Sequence, residues 1–597
     1  MQKGKRHGPN QYLKIKELTG RKPKPENFMK WKRYLHAFFV SGLLFSPCNY
    51  AQITDKIQNP YAVPTYGCAG LYWKTQESGP CTVRYREESG KNWKNGLDLV
   101  YDARDQEYRG SIVDLKPGTG YLVELSDKSS KVQISFETRS DNFPVGKTSV
   151  LPAGESDNTI VITESGTPEA YHLVTVPSGS KSVLNLKNVG KYGIEVDADY
   201  VIIRGAEIRN AAVHGIIIRK NRHDIVVEQC YIAFWGRLGG PHTYGNLEGG
   251  SDSGIYAESG TSNLTIQRNL IEDPRGASND WETGHPDGPQ GITVIESKGG
   301  NVIRYNDIVS TEDHGFNDGI GGSNNFSFTG NMNRDSDIYG NIIRNAWDDA
   351  IESEGGNMNV RIWGNFMHFF YNAIATASTS RGPVYIFRNV SRESRSGHRN
   401  SMGGVFIKTG ERNEFGGGRR YVFHNTILQP DGVFNVFSGN VNPDCITRNN
   451  IFDVPGRLAT DLEKDPHGDY DYDYFSGIVK GKSAGEEHSA KFTTTPAGTR
   501  LYTSSYNLEF YPRSSINSIK WGKYPYEFGG RKLEITDPVI WISNPLIDSG
   551  VPIPGFNNNF FGKAPDLGAF EVGLPPLQFG RRAYLGYNEE RAPWEIY

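Results

Sequence analysis

Cysteine and methionine are scarce, five and six in 597 residues. A disulfide-dense scaffold is therefore excluded, and no Cys/His spacing resembles a zinc site. Charged residues make up only 22%, which excludes a disordered polyelectrolyte. No run of 18 apolar residues occurs, so integral membrane association is not expected. Basic charge is thin outside the N-terminus: residues 1–51 hold 11 Lys and Arg against 2 Asp and Glu, leaving 54 against 66, a net −12, for the rest. Nucleic acid is thus a poor partner, because phosphate neutralisation needs a basic face. What is abundant is glycine, 69 residues, and aromatics, 12%. With little leucine, this composition points to an all-β chain with many turns, not a helical bundle.

Lys30, Lys32 and Arg33 precede an apolar run from Leu35 to Phe45, and small and polar residues follow to Ala51. That order is a secretory signal, with cleavage expected after Ala51 and Met29 as the biological start. Residues 1–51 read as leader and signal peptide, and the remainder as an exported, periplasmic or secreted, monomeric protein.

Residues 52–140 contain short strands separated by turn residues at the spacing of a β-sandwich. Leu115-Lys116-Pro117-Gly118-Thr119-Gly120-Tyr121 resembles a fibronectin type III domain, in which the Tyr hydroxyl bonds back to the chain at a corner. Cys68 and Cys81 flank neighbouring strands and are candidates for a disulfide. Residues 141–158 read as a linker.

The central region repeats. An apolar strand ends in Asn and an apolar pair at Asn269, Asn306, Asn341, Asn365, Asn389, Asn425 and Asn450, with Ala206 and Cys230 in the same place earlier. A basic unit of about 24 residues recurs, with insertions. Small-apolar pairs such as Gly215-Ile216, Gly254-Ile255, Gly291-Ile292, Gly319-Ile320, Ala350-Ile351, Ala373-Ile374 and Gly404-Val405 open a second strand. Units of this length with several strands predict a right-handed parallel β-helix over residues 159–455, the Asn side chains forming a ladder. The region resembles the secreted β-helix family of pectate lyases, polygalacturonases and chondroitinase B-type lyases.

With the Ile or Val of each pair inward, alternation along the strand aims Tyr256, Gly321, Glu352, Ala375 and Phe406 outward, then Glu354, Ala377, Lys408 and Phe437. Asp318 and Asp349 stand just before their pairs. Glu352, Glu354, Asp348 and Asp349 thus share one coil between coils of small residues. Lys408 is expected roughly 10 Å from Glu354, two coil steps away. Insertions supply His242, His285, Asp287, Glu312, Asp313, His314, Tyr371, Arg395, Arg399 and Arg412.

Two chemistries suit that face. One is β-elimination on a uronic acid, in which a cation neutralises the carboxylate and a base removes the adjacent proton. Glu352-Ser353-Glu354 resembles the paired glutamates that hold calcium in chondroitinase B-type lyases, which implies Ca2+ at Glu352 and Glu354. Lys408 is then the base, and His314, Tyr371 or Arg412 the acid or carboxylate clamp. A terminal uronate would make the enzyme a dehydratase, as in the degradation of ulvan-like polymers. The other is hydrolysis by paired carboxylates of the inverting type. Asn317-Asp318-Gly319, Asp348-Asp349 and Phe406-Ile407-Lys408 resemble polygalacturonase motifs, implying Asp318, Asp348 and Asp349 as acid and base; the family's Gly-His-Gly motif is missing near Asn372. In both, an anionic poly- or oligosaccharide is the expected partner, with Tyr256 and His242 as further substrate contacts, and no organic cofactor is implied. A non-catalytic glycan-binding β-helix is the third possibility. Residues 456–597 lose the repeat, and Asn544-Pro545-Leu546 and Ala564-Pro565-Asp566-Leu567-Gly568 resemble the closing segment of secreted β-helix proteins, read here as a cap over the last coil.

Overall fold

A computed structural model describes residues 59–238, 252–395, 404–428, 435–437, 444–475, 478–480 and 546–583, less residues 77, 393, 411–412, 455–457, 466, 572, 575–576 and 582, with a short hairpin at Glu527–Phe528 and Arg531–Lys532. The leader and signal expected at 1–51 lie outside the described residues. No helix among the described residues is long and apolar enough to cross a membrane.

Three parallel sheets stack coil upon coil into a β-helix. The first runs from Val145–Val150 to Asp469–Tyr470, the second from Gly154–Ser156 to Tyr474–Phe475, and the third from Ile160–Ile162 to Asn435–Phe437. The stack therefore begins inside 141–158, expected as a linker, which instead forms the first coil. It also continues beyond residue 455.

The sequence marks explain the coil. Ile194, Ile216, Ile255, Ile292, Ile320, Ile351, Ile374 and Ile407 are fully buried in one column on the third sheet. Each such isoleucine stabilises the stack by about 1.5–3 kcal/mol through burial. Gly319 is needed where the coil narrows: a Cβ there would meet Ile343 Cγ2 at 2.4 Å. The corner between first and second sheets turns on one left-handed residue per coil, among them Arg268, Tyr305, Arg388 and His424. That conformation disfavours non-glycine residues, and the next residue, asparagine, secures it. Asn269 Nδ2 donates to Asn306 Oδ1, and the same bond repeats through Asn341, Asn365, Asn389, Asn425 and Asn450, at 2.9–3.0 Å. Asp473 ends the ladder, accepting from Asn450 Nδ2 at 2.7 Å. Cys230, which has no amide, sits at the other end and donates only its backbone N–H to Asn269.

Ahead of the helix, two antiparallel sheets of four strands form a sandwich. Lys116 N donates to the Tyr121 hydroxyl at 2.9 Å, the expected corner. Cys68 and Cys81 are both buried and unbonded, a correction to the proposed disulfide. They lie in different apolar clusters: Cys81 in the sandwich core, Cys68 against the first helical sheet with Tyr385 and Phe387. The sandwich is docked. Tyr72 donates to Asp335 at 2.8 Å, the Tyr385 hydroxyl accepts from Ser111 N at 2.9 Å, and the Arg304 guanidinium lies 4.0 Å from the Tyr66 ring centre.

The irregular C-terminal region closes the helix from its side. Leu546, Leu567, Phe570 and Phe579 pack on Leu270, Ile342, Phe366 and Ile451, the outward residues of the second sheet. Gly568 N bonds Asn449 O and Gly580 N bonds Gly340 O, so the region's described residues cross several coils.

Candidate active site

The site lies on the third sheet, on the coil Asp349–Glu352 and its neighbours Ile320–Gly321, Asn372–Ala375 and Val405–Lys408. Ala350 and Ile351 are both in the core, so the strand bends between them and the flanking Asp349 and Glu352 emerge on the outer face. One oxygen each from Asp318, Asp348 and Asp349 falls within 4.8 Å of the others, and the same holds for Asp349, Glu352 and Glu354. Five carboxylates are thus gathered, all almost fully buried.

Lys408 stands closer than expected. Its Nζ is 3.2 Å from Asp349 Oδ2 and 3.3 Å from Glu354 Oε1. Its row differs from the expected one as well. Ile407, not Val405, pairs with Ile374, and Lys408 pairs with Ala375 in the same row as Glu352. Phe406 and Phe437, expected outward, belong to the core. Alanine at 375 leaves the lysine stem room to lie across that coil.

Donors order the acids. Asp318 accepts from Gln290 Nε2 at 2.7 Å, Asn317 Nδ2 at 3.0 Å and the amide of Asp349 at 3.0 Å. Asp349 Oδ1 accepts from Asn372 Nδ2 at 2.7 Å, so an amide faces one of its oxygens and the Lys408 ammonium the other. Glu352 accepts from Gly322 N at 2.9 Å, and Glu354 from Ala377 N at 3.3 Å. Glu354 Oε2 is buried without a hydrogen-bond partner among the described residues.

Burial, then the neighbouring carboxylates, pushes Asp318 and Asp348 well above the usual carboxylate range. Glu352 and Glu354 are raised too, burial outweighing the opposing pull of Lys408. Lys408 is raised as well, which for an ammonium favours the charged form. Burial opposes its charge, but Asp349, Glu354, Asp348 and Glu352 together hold its pKa well above the ordinary lysine value.

An aromatic wall stands at the start of these strands. Tyr371 lies against Trp281, ring centres 5.1 Å apart, and Trp281 against His285 at 4.7 Å. His285 Nε2 is 3.5 Å from Asp348 Oδ2. Burial and then Asp348 and Asp349 raise the Tyr371 phenol, keeping it protonated.

Other sequence candidates are not gathered here. His314 Nδ1 is bonded to Pro274 O at 2.8 Å and its ring faces Phe234, so it serves its own turn. Tyr256 stacks on His214 with centres 4.3 Å apart, three coil steps or about 14 Å from Glu352. Arg395 is spent on Glu312 at 2.9 Å and on the Trp347 ring. His242, Arg399 and Arg412 lie outside the described residues. Sequence reasoning missed Trp281, an aromatic in an insertion with no periodic signal. It also gave no role to Gln290 and Asn372, although both stand in the row of Asp318 and Asp349.

No protein-family model matches the chain, and no curated protein sequence does. Among solved structures it is similar to the pectate lyase Pel9A, with TM-score 0.36 and 16% identity over 73% of this chain and 92% of that one. It is also similar to an alginate lyase from Paenibacillus sp. str. FPU-7, with TM-score 0.29 and 14% identity over 50% and 92%. A Family 28 exopolygalacturonase from Yersinia enterocolitica gives TM-score 0.22 and 10% identity over 72% and 96%.

Proposed function

We propose that the chain is a carbohydrate-active enzyme that hydrolyses a glycosidic bond with the carboxylates of the Asp349 coil. The observation that carries this reading is the Lys408 ammonium held between Asp349 and Glu354. A general base works best with a pKa near the operating pH, and a lysine pinned by four carboxylates is far from that. Lys408 therefore acts as a fixed cation, not as the base of an elimination. Asp348, raised by burial and by Asp349, keeps a proton for the leaving oxygen. Asp349, held between the Lys408 ammonium and Asn372 Nδ2, accepts the proton of the water that adds to the anomeric carbon. The Trp281–Tyr371 wall offers an apolar face to a sugar ring beside Asp348.

The donor set Asp349, Glu352 and Glu354 is all hard oxygen, which suits Ca2+. The Lys408 ammonium already lies against two of the three, so a divalent ion there has to share the site with a positive charge. The residues fit an ammonium better than a calcium ion, and no step above passes through a metal.

Incubation with carboxylated and neutral algal and plant polysaccharides tests the reading. New reducing ends without absorbance from a 4,5-unsaturated uronate, lost in Asp348→Asn, are expected. An unsaturated product would overturn hydrolysis in favour of elimination. Cleavage of no polysaccharide would overturn both.

A further inference from the structure

A cavity of about 400 Å3 lies where the sandwich meets the helix, and the reaction above does not use it. One wall is the sandwich turn that carries Arg104; the other is made by helix loops that carry Arg381 and Arg419. The arginines differ in what they already hold. Arg109, at its base, is buried and bound by Asp102 at 2.9 Å and Glu107 at 2.7 Å. Arg419 lies 3.3 Å from Asp444, and Arg104, 42% exposed, lies 3.0 Å from Asp102 and also donates to the carbonyls of Ser380 and Gly416. Among the described residues Arg381 has its nearest carboxylate, Asp105, only at 3.8 Å, with Met358 Sδ also at 3.8 Å, and is 33% exposed. Its fork is the least committed cation of the cavity.

At the rim stands Phe328, 39% exposed, a large aromatic left in solvent. The guanidinium groups of Arg104 and Arg381 each lie 5.8 Å from its ring centre, and Phe415 meets it edge-on at 5.2 Å. The ring is thus held in place without being covered.

The cavity adjoins the acids through two short chain segments. Asn325, whose side chain bonds Glu352 and whose carbonyl accepts from Ser378 Oγ at 2.9 Å, is three residues from Phe328. Ala377, which bonds Glu354, is four residues from Arg381. Segments this short span at most about 10–14 Å. The acids therefore lie between the Trp281–Tyr371 wall on one side and the arginine-lined cavity on the other.

We propose that this junction is a second glycan subsite that takes an anionic substituent, carboxylate or sulfate, of the sugar chain. Arg381 is its charged contact, Arg104 adds positive charge beside it, and Phe328 is the platform for the ring that bears the group. A guanidinium fork matches either anion with two parallel hydrogen bonds. The sandwich then supplies part of the substrate cleft. Only the idea that one chain meets both sites rests on the hydrolase reading; binding at the junction does not.

The test is isothermal titration of the full chain carrying Asp349→Asn. The probes are oligogalacturonate, a sulfated carrageenan oligosaccharide and a neutral laminari-oligosaccharide. At least one anionic probe should bind, and which one it is distinguishes carboxylate from sulfate. Adding Arg381→Ala should weaken that binding by about tenfold or more, Arg381→Lys by less, with the thermal midpoint unmoved. Phe328→Ala should weaken it as well. Binding unaffected by Arg381→Ala and Arg381→Lys, equal binding of the neutral probe, or no binding of either anionic probe would overturn the proposal. Arg381-dependent binding, with no cleavage of any polysaccharide by the chain that keeps Asp349, would refute only the hydrolase reading.

Discussion

Replacing Lys408 by methionine keeps the stem and removes the charge that holds the acidic coil together. At an effective dielectric constant of about 20, unit charges at the observed 3.2 and 3.3 Å attract by roughly 5 kcal/mol each. Desolvation of the ammonium offsets much of this, and losing one member of a fully buried pair costs about 3–5 kcal/mol. Lys408 keeps 29% of its side chain exposed, so a loss of about 2 kcal/mol is expected at neutral pH. The loss depends on pH with a definite sign. The raised pKa values of Asp318, Asp348, Glu352 and Glu354 mean that the folded state binds protons more readily than the unfolded one. Their contribution to stability is present at and below the ordinary carboxylate range and fades as pH rises through the raised values. Lys408 contributes throughout the neutral range, until pH passes its own raised pKa. The Lys408→Met deficit in denaturant midpoint should therefore be small near pH ~5 and full near pH ~8. In turnover, loss of the ammonium keeps the cluster protonated to higher pH. A loss of about 2 kcal/mol corresponds to an acid limb moved upward by about 1–2 pH units. A folded variant with no turnover at any pH would refute this reasoning and restore Lys408 as a base; an equal stability deficit at both pH values would refute the electrostatic account.

In the asparagine ladder, Asn389→Ala removes the Nδ2 bonds to Ile362 O and Asn425 Oδ1 and the acceptor of Asn365 Nδ2. A stability loss of about 2–4 kcal/mol by chemical denaturation is expected, since buried partners are left unpaired, with activity per folded molecule unchanged. At the ladder's end, burial pushes Asp473 up to about 7. Its contribution is present below the unfolded carboxylate range and lost as pH rises through about 7. Asp473→Asn should therefore raise the thermal midpoint near pH ~8 and leave it almost unchanged near pH ~5; an equal shift at both would show that Asp473 does not titrate there.

The helix was legible because its marks are physical necessities repeated in every coil. The Asn position was readable since a buried corner needs an amide that both donates and accepts, and the bonds from Asn269 to Asn450 realise that need. The start of the stack was not readable. Val145–Val150 and Gly154–Ser156 pair as first-coil strands without the Asn or small-apolar signal, because a first coil has neighbours on one side only. The cysteine pairing failed for another reason: Cys68 points to the first helical sheet, and a docking surface leaves no periodic trace in the docked domain.

Lys408 shows which part of a site survives an error of register. Reading Gly404-Val405 as the inward pair placed the strand two residues out, because every earlier coil but one marks its narrow point with glycine or alanine, whereas this coil fills it with Phe406. A slip of one residue turns a side chain to the other face; a slip of two returns it to the same face. Lys408 was therefore rightly placed outside the core under either register, and only its row was wrong. The new row is that of Glu352, not Glu354, so the contact of 3.3 Å with Glu354 comes from the length of the lysine stem, which crosses the coil of Ala375. That reach changes the chemistry expected of Lys408. A lysine one sugar away from the acids is free to take a proton from substrate, whereas a lysine in contact with two of them is already their counter-ion. The preference for hydrolysis proposed above thus rests on the reach of the Lys408 stem over the small residue at 375, not on its row in the sheet.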